Sequence, residues 1–83
     1  MIHANDQSIA TAAKRIYEER LRVILERTHR DDFVAIEPIS GDYFTGLTLS
    51  EAIGASRAKH PDRLAHALRV GHSAAVHFGL QVR

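Results

Sequence analysis

The chain contains no cysteine and no tryptophan, and only 6% of its residues are aromatic. Without cysteine there are no disulfide staples and no thiolate chemistry; that fits a reducing compartment, and the chain is expected to be cytoplasmic. No stretch approaches the roughly 18 consecutive apolar residues of a membrane span, and MIHANDQS has no apolar signal run, so no membrane association is expected. Charge of one sign is also missing. Eleven basic residues oppose 10 acidic ones for a net +1, which is no footprint for gripping nucleic acid. What is present is 45% hydrophobic residues in 83 positions, enough for one small core. A single domain over 1–83 is expected, with 1–7 flexible.

Ile9, Ala13, Ile16, Tyr17, Leu21, Ile24 and Leu25 recur at three- and four-residue steps. This spacing predicts an amphipathic helix from about Ser8 to about Thr28. Its other face carries Lys14, Arg15, Glu18, Glu19, Arg22 and Glu26, with Glu18 four residues before Arg22 in the favourable pairing order. Such a charge-laced face is read as solvated.

Two strand-forming runs follow, Phe33-Val34-Ala35-Ile36 and Tyr43-Phe44-Thr45, separated by Pro38 and Ser40-Gly41-Asp42. That pattern predicts a hairpin from Phe33 to Gly46, with Pro38 at a strand end where no N–H is needed. Thr48-x-x-Glu51 is a capping box that starts a second helix, with Glu51 expected to reach back to residue 48. Pro61 disfavours helical backbone at His60, so this helix is expected over about Leu49–Lys59. In LAHALRVGHSAAVHFGLQVR, glycines and β-branched residues favour a second hairpin over a helix. Gly71-His72 has the form of a two-residue type II′ turn. The expected fold class is α+β, a two-layer sandwich in the order α-β-β-α-β-β, with both helices on one face of antiparallel hairpins.

Counting outward from that turn sets His66 opposite His77 on the outer face, where two imidazoles could share a metal or change charge near neutral pH. No third ligand stands at a convincing spacing, and the expectation is no bound metal and no cofactor. Ala65, Ala67, Val76 and Phe78 fall on the core side. His66, Leu68, Val70, Ala75 and His77 then form a mildly apolar outer patch, the candidate partner-binding surface.

Catalytic patterns are sparse. Asp31, Asp32, Glu37 and Asp42 lie on or beside turns, where solvated acids are expected. Neither Ser40 nor Ser73 sits in G-x-S-x-G, and Gly41, Gly46 and Gly54 do not make a phosphate loop. The chain is not expected to be an enzyme. His60-Pro61-Asp62 matches the tripeptide of J-domain cochaperones, but the long third helix of that family has no counterpart, so it is read as a helix stop.

Phe33-Val34-Ala35 and Gly46-Leu47-Thr48-Leu49-Ser50-Glu51-Ala52 resemble HicB-type antitoxins, in which an F/Y-x-A strand precedes G-x-T-x-x-E-A at a helix start. The match covers about a quarter of the chain. The L-P-G-C segment and DNA-binding appendage of that family are absent, and a long helix precedes the first strand. More broadly, Ile16-Tyr17-Glu18-Glu19, Ser40 to Gly46, Thr48-x-x-Glu51-Ala52 and Arg69-Val70-Gly71 resemble small bacterial proteins of similar length and unassigned function. These resemblances imply a compact, antitoxin-like protein-binding partner; the outer patch is expected to serve a protein partner or self-association through the C-terminal hairpin. The alternatives are histidine-mediated metal or small-molecule binding and a homo-oligomeric structural role, since an open sheet leaves its edges free to pair.

Overall fold

The structure, a computed structural model, describes residues 6–72 and 80–82. Helical backbone runs in three successive pieces: α1 (Asp6–Ile16), a single π turn (Tyr17–Leu21) and α2 (Arg22–Thr28). The spacing of the buried residues explains the π turn. Ile9, Ala13, Tyr17, Leu21 and Leu25 are buried, one every fourth residue. A four-residue step in an α-helix overshoots a full turn by roughly 40°. A straight helix would therefore swing Leu25 roughly 160° from Ile9, and would bring Arg20 and Arg27 to within about 20° of the inward line. The π turn takes an extra residue and absorbs roughly 100° of that swing. Leu21 and Leu25 return to the core, while Arg20, Val23, Ile24 and Arg27 stay exposed. Ile24, expected in the apolar stripe, is exposed.

β1 (Phe33–Glu37) lies antiparallel between β2 (Asp42–Gly46) and β3 (Ala65–Arg69), and the three-residue β4 (Leu80–Val82) pairs with the far side of β3. α3 (Leu49–Lys59) connects β2 to β3. At its start Thr48 Oγ1 accepts from the N–H of Glu51 at 3.1 Å. The Glu51 carboxylate accepts from the N–H of Leu47 at 2.9 Å, one residue earlier than a standard capping box requires. Helices with an antiparallel sheet make this an α+β fold. Among the described residues no helix is long and apolar enough to cross a membrane.

The helices do not share one face. Val34, Ile36, Leu68 and Val70 pack against Ala13, Tyr17, Leu21 and Leu25 of the first helix. Ala35, Ala65, Ala67 and Phe33 pack against Ala52, Leu49 and Ile53 of α3. The sheet is thus sandwiched between helices, in three layers where the sequence pattern predicts two. The physical reason lies in β1, whose unbroken apolar run needs cover on both sides; a single helical layer would leave half of it in water.

The tight C-terminal hairpin is also corrected. Val70 continues the ladder of β3: its N–H donates to Asp32 C=O at 2.8 Å, and its C=O accepts from Asp31 N–H at 3.0 Å. His66 stands opposite Gln81 and Ala67 opposite Leu80, so Gly71-His72 is not the two-residue link of these strands. Gly71 still turns the chain, with φ +86°.

Candidate functional site

The residues expected to form an outer patch are distributed otherwise. His66 is 3% exposed and Val70 fully buried, both beneath the first helix, where Leu68 is half-buried. Ala75 and His77 lie outside the described residues. Opposite His66 stands Gln81, not His77. Among the described residues no three His, Cys, Asp or Glu side chains gather as metal ligands. The alternation argument failed because β3 carries apolar side chains on both faces, so alternation along it did not tell the core side from the outer side.

The densest polar cluster was missed by the sequence reading. It forms where the loop after α3 meets the β1–β2 turn. Glu37, expected to be a solvated acid, is fully buried. Its carboxylate accepts from the N–H groups of Ile39 at 2.8 Å and Ser40 at 2.9 Å, and from the Arg63 guanidinium at 3.3 Å. Burial alone would raise its pKa, but the bonds from Ser40, Ile39 and Arg63 together outweigh that and hold it below the ordinary glutamate range. The sequence signal was Glu37-Pro38-x-Ser40: a carboxylate directly before a turn whose free N–H groups converge on it.

His60 joins the cluster through Nε2, 2.7 Å from Asp42 Oδ2 and 3.4 Å from Ser40 Oγ. Its ring meets Phe44 edge-on, centroids 6.2 Å apart. Hydrogen bonding to His60 is the main reason that Asp42 lies below the usual aspartate range. A serine, a histidine and an aspartate in contact invite comparison with a hydrolase, and the geometry refuses it. A relay needs the serine on one ring nitrogen and the carboxylate on the other. Here both meet Nε2, which holds at most one proton. If Nε2 donates to Asp42, it cannot accept from Ser40. Ser40 Oγ is also engaged by the N–H of Asp42 at 3.1 Å and by Glu37 C=O at 3.4 Å. The cluster locks the turn to the end of α3, and His-Pro-Asp serves as both helix stop and latch.

At the opposite end of the sheet, His72 Nε2 lies 3.0 Å from Asp31 Oδ1, and Arg69 donates to Asp31 C=O at 3.0 Å while its guanidinium sits 5.5 Å above the Phe33 ring. A cleft of about 350 Å³ opens beside Tyr17, Glu18, Arg22 and Glu26. Arg22 is clamped there between Glu18 at 2.8 Å and Glu26 at 3.1 Å, so its charge is already balanced. Burial raises the Tyr17 phenol above its ordinary pKa, and its oxygen accepts a long 3.5 Å bond from Gly71 N–H.

The remaining feature is an edge. β2 pairs with β1 on one side, and among the described residues no strand pairs with its other side. The first helix packs over β1 and β3, and Tyr43 of β2 is left unroofed, 44% exposed. Ile39, in the β1–β2 turn, and Leu47, directly after β2, are 69% and 73% exposed. No protein-family model, curated protein sequence or solved structure matches this chain.

Proposed function

We propose that this chain is a small protein-interaction module whose contact surface is the free edge of β2, not the C-terminal hairpin. The observation that carries this reading is the coincidence of a strand edge left unpaired among the described residues with three exposed large apolar side chains, Ile39, Tyr43 and Leu47. An open edge offers backbone donors and acceptors for strand addition, and apolar side chains beside it supply burial and selectivity. Taken alone, the HicB-type resemblance would make a partner at this edge a toxin and the chain antitoxin-like. The residues behind that resemblance, Gly46 to Ala52, are occupied here with joining a strand to a helix, a task many folds share, so the toxin stands on the resemblance alone.

The test is affinity capture from the native host with the wild-type chain and with Tyr43→Lys, identifying the recovered proteins by mass spectrometry. A specific partner lost with Tyr43→Lys, and kept with Arg57→Ala on the exposed side of α3, is the expected outcome. An identical set of recovered proteins from both baits would overturn the reading.

A further inference from the structure

We propose that the occupant of the β2 edge is a second copy of this chain, paired antiparallel about a two-fold axis at Phe44. The proposal rests on β2 being the contact edge and adds who sits there.

The direction of the backbone groups carries it. The N–H of Val70 donates to Asp32 C=O, so Asp32 turns its carbonyl toward the β3 side. By strand alternation Val34 and Ile36 do the same, while Phe33, Ala35 and Glu37 turn theirs toward β2. The residues facing these last three are Gly46, Phe44 and Asp42. That leaves the N–H and C=O groups of Tyr43 and Thr45 pointing out of the sheet. An antiparallel pair centred on Phe44 sets Tyr43 against the partner's Thr45 and Thr45 against the partner's Tyr43. Both outward-facing residues then exchange N–H···O=C bonds in a single register.

The side chains agree with that register. Asp42, the only charged residue of β2, meets the partner's Gly46, so no like charges oppose. Tyr43 lies beside the partner's Thr45 on the unroofed face. Beyond the paired strands, Leu47 of one copy comes near the turn that carries the partner's Ile39. The apolar side chains exposed along this edge thereby come together. β2 also carries no lysine, arginine or proline, and no bulge interrupts its five-residue ladder with β1, so most devices that keep edges apart are missing from it. A two-fold pairing is closed, so it stops at two copies.

Sedimentation equilibrium on the full chain, from micromolar to submillimolar concentration, tests the pairing. A dimer is expected. Thr45→Pro removes an outward N–H from each copy and leaves the inward ladder intact, and Tyr43→Lys places a lysine at the edge. Each should weaken association at least about tenfold, the scale of two lost hydrogen bonds per dimer, with an unchanged far-UV spectrum. In this cysteine-free chain, Phe44→Cys should oxidise to a linked dimer, because a non-hydrogen-bonded antiparallel pair brings its Cα atoms to about 4.5 Å. Leu47→Cys should not. A monomeric wild type, or a dimer that both edge variants leave intact, would overturn the second copy as occupant. If the wild type is monomeric and Tyr43→Lys still loses a captured protein, the edge reading survives and only the occupant was wrong.

Discussion

Gly46 lies so close to the first turn of α3 that a Cβ at this position would stand 2.7 Å from the backbone nitrogen of Ala52. Real Cβ atoms do not approach that closely, and the obstacle is backbone, which cannot rotate away. The glycine is therefore required by the angle at which β2 hands over to α3. Gly46→Ala should destabilise the domain by about 1–3 kcal/mol through overpacking. Thr48→Ala, which removes only the cap, should cost about 1 kcal/mol. Urea midpoints of the two variants measure this, and equal midpoints would refute the ranking.

The π turn makes a sharper prediction. Deleting the exposed Glu19 converts Tyr17–Leu21 into ordinary α-helix without misplacing a buried residue, because the turn's extra residue is the one removed. The variant should fold with stability close to wild type. Deleting Val23 also shortens the helix by one residue, but it leaves the extra residue ahead of Leu21, and relaxing to plain α-helix would turn Leu21 out of the core. That deletion should cost about 1.5–3 kcal/mol more, the value of one buried leucine. Thermal unfolding of both deletions decides it; equal losses would mean that the π turn does not set the register.

Ser56 is buried in α3, and among the described residues its hydroxyl has no hydrogen-bond partner. A buried hydroxyl left unpaired is a cost with no return, and alanine is the better helix former. Ser56→Ala should leave stability unchanged or raise it by about 1 kcal/mol. A clear loss on chemical denaturation would show that the hydroxyl has a partner after all.

Local features were legible in the sequence. Thr48 and Glu51 announced the start of α3, Pro61 its end, and the turn residues from Pro38 to Asp42 the first hairpin, because each depends on near neighbours. The four-residue spacing from Ile9 to Leu25 was equally visible, but it was read as plain α-helix; only the angular drift between four and 3.6 residues per turn calls for the π turn. Face assignments were not local. Ala65, Ala67, Leu68 and Val70 are apolar on both sides of β3, so no alternation told inside from outside, and Gly71-His72 imitated a hairpin turn while Val70 was committed to Asp31 and Asp32. The clue to three layers was Phe33-Val34-Ala35-Ile36, four apolar residues running unbroken through one strand. The candidate site moved with the faces: His66 and Val70 went inward, and Tyr43, never singled out, became the exposed aromatic at the edge.

The Glu37 carboxylate ties stability to acid. Its pKa is held down in the folded state by Ser40, Ile39 and Arg63 against the opposing effect of burial. A carboxyl whose folded pKa lies below its unfolded value, about 4.3 for glutamate, contributes stability that is fully present above that unfolded value. The contribution is lost as pH falls through the folded pKa, so stability should decline below about pH 4.3. Asp42, lowered chiefly by its bond to His60, adds to the same trend. Glu37→Gln isolates the Glu37 share. The amide keeps one acceptor oxygen but turns an NH₂ group toward the N–H of Ile39 or Ser40, so at pH 7 the variant should be less stable by about 1–3 kcal/mol. Protonation imposes a comparable loss on the wild type at low pH, so the two unfolding curves should converge as pH falls to 3. Chemical denaturation at pH 7, 5, 4 and 3 would measure that convergence, and a gap that stayed constant with pH would show that the Glu37 pKa does not change on folding.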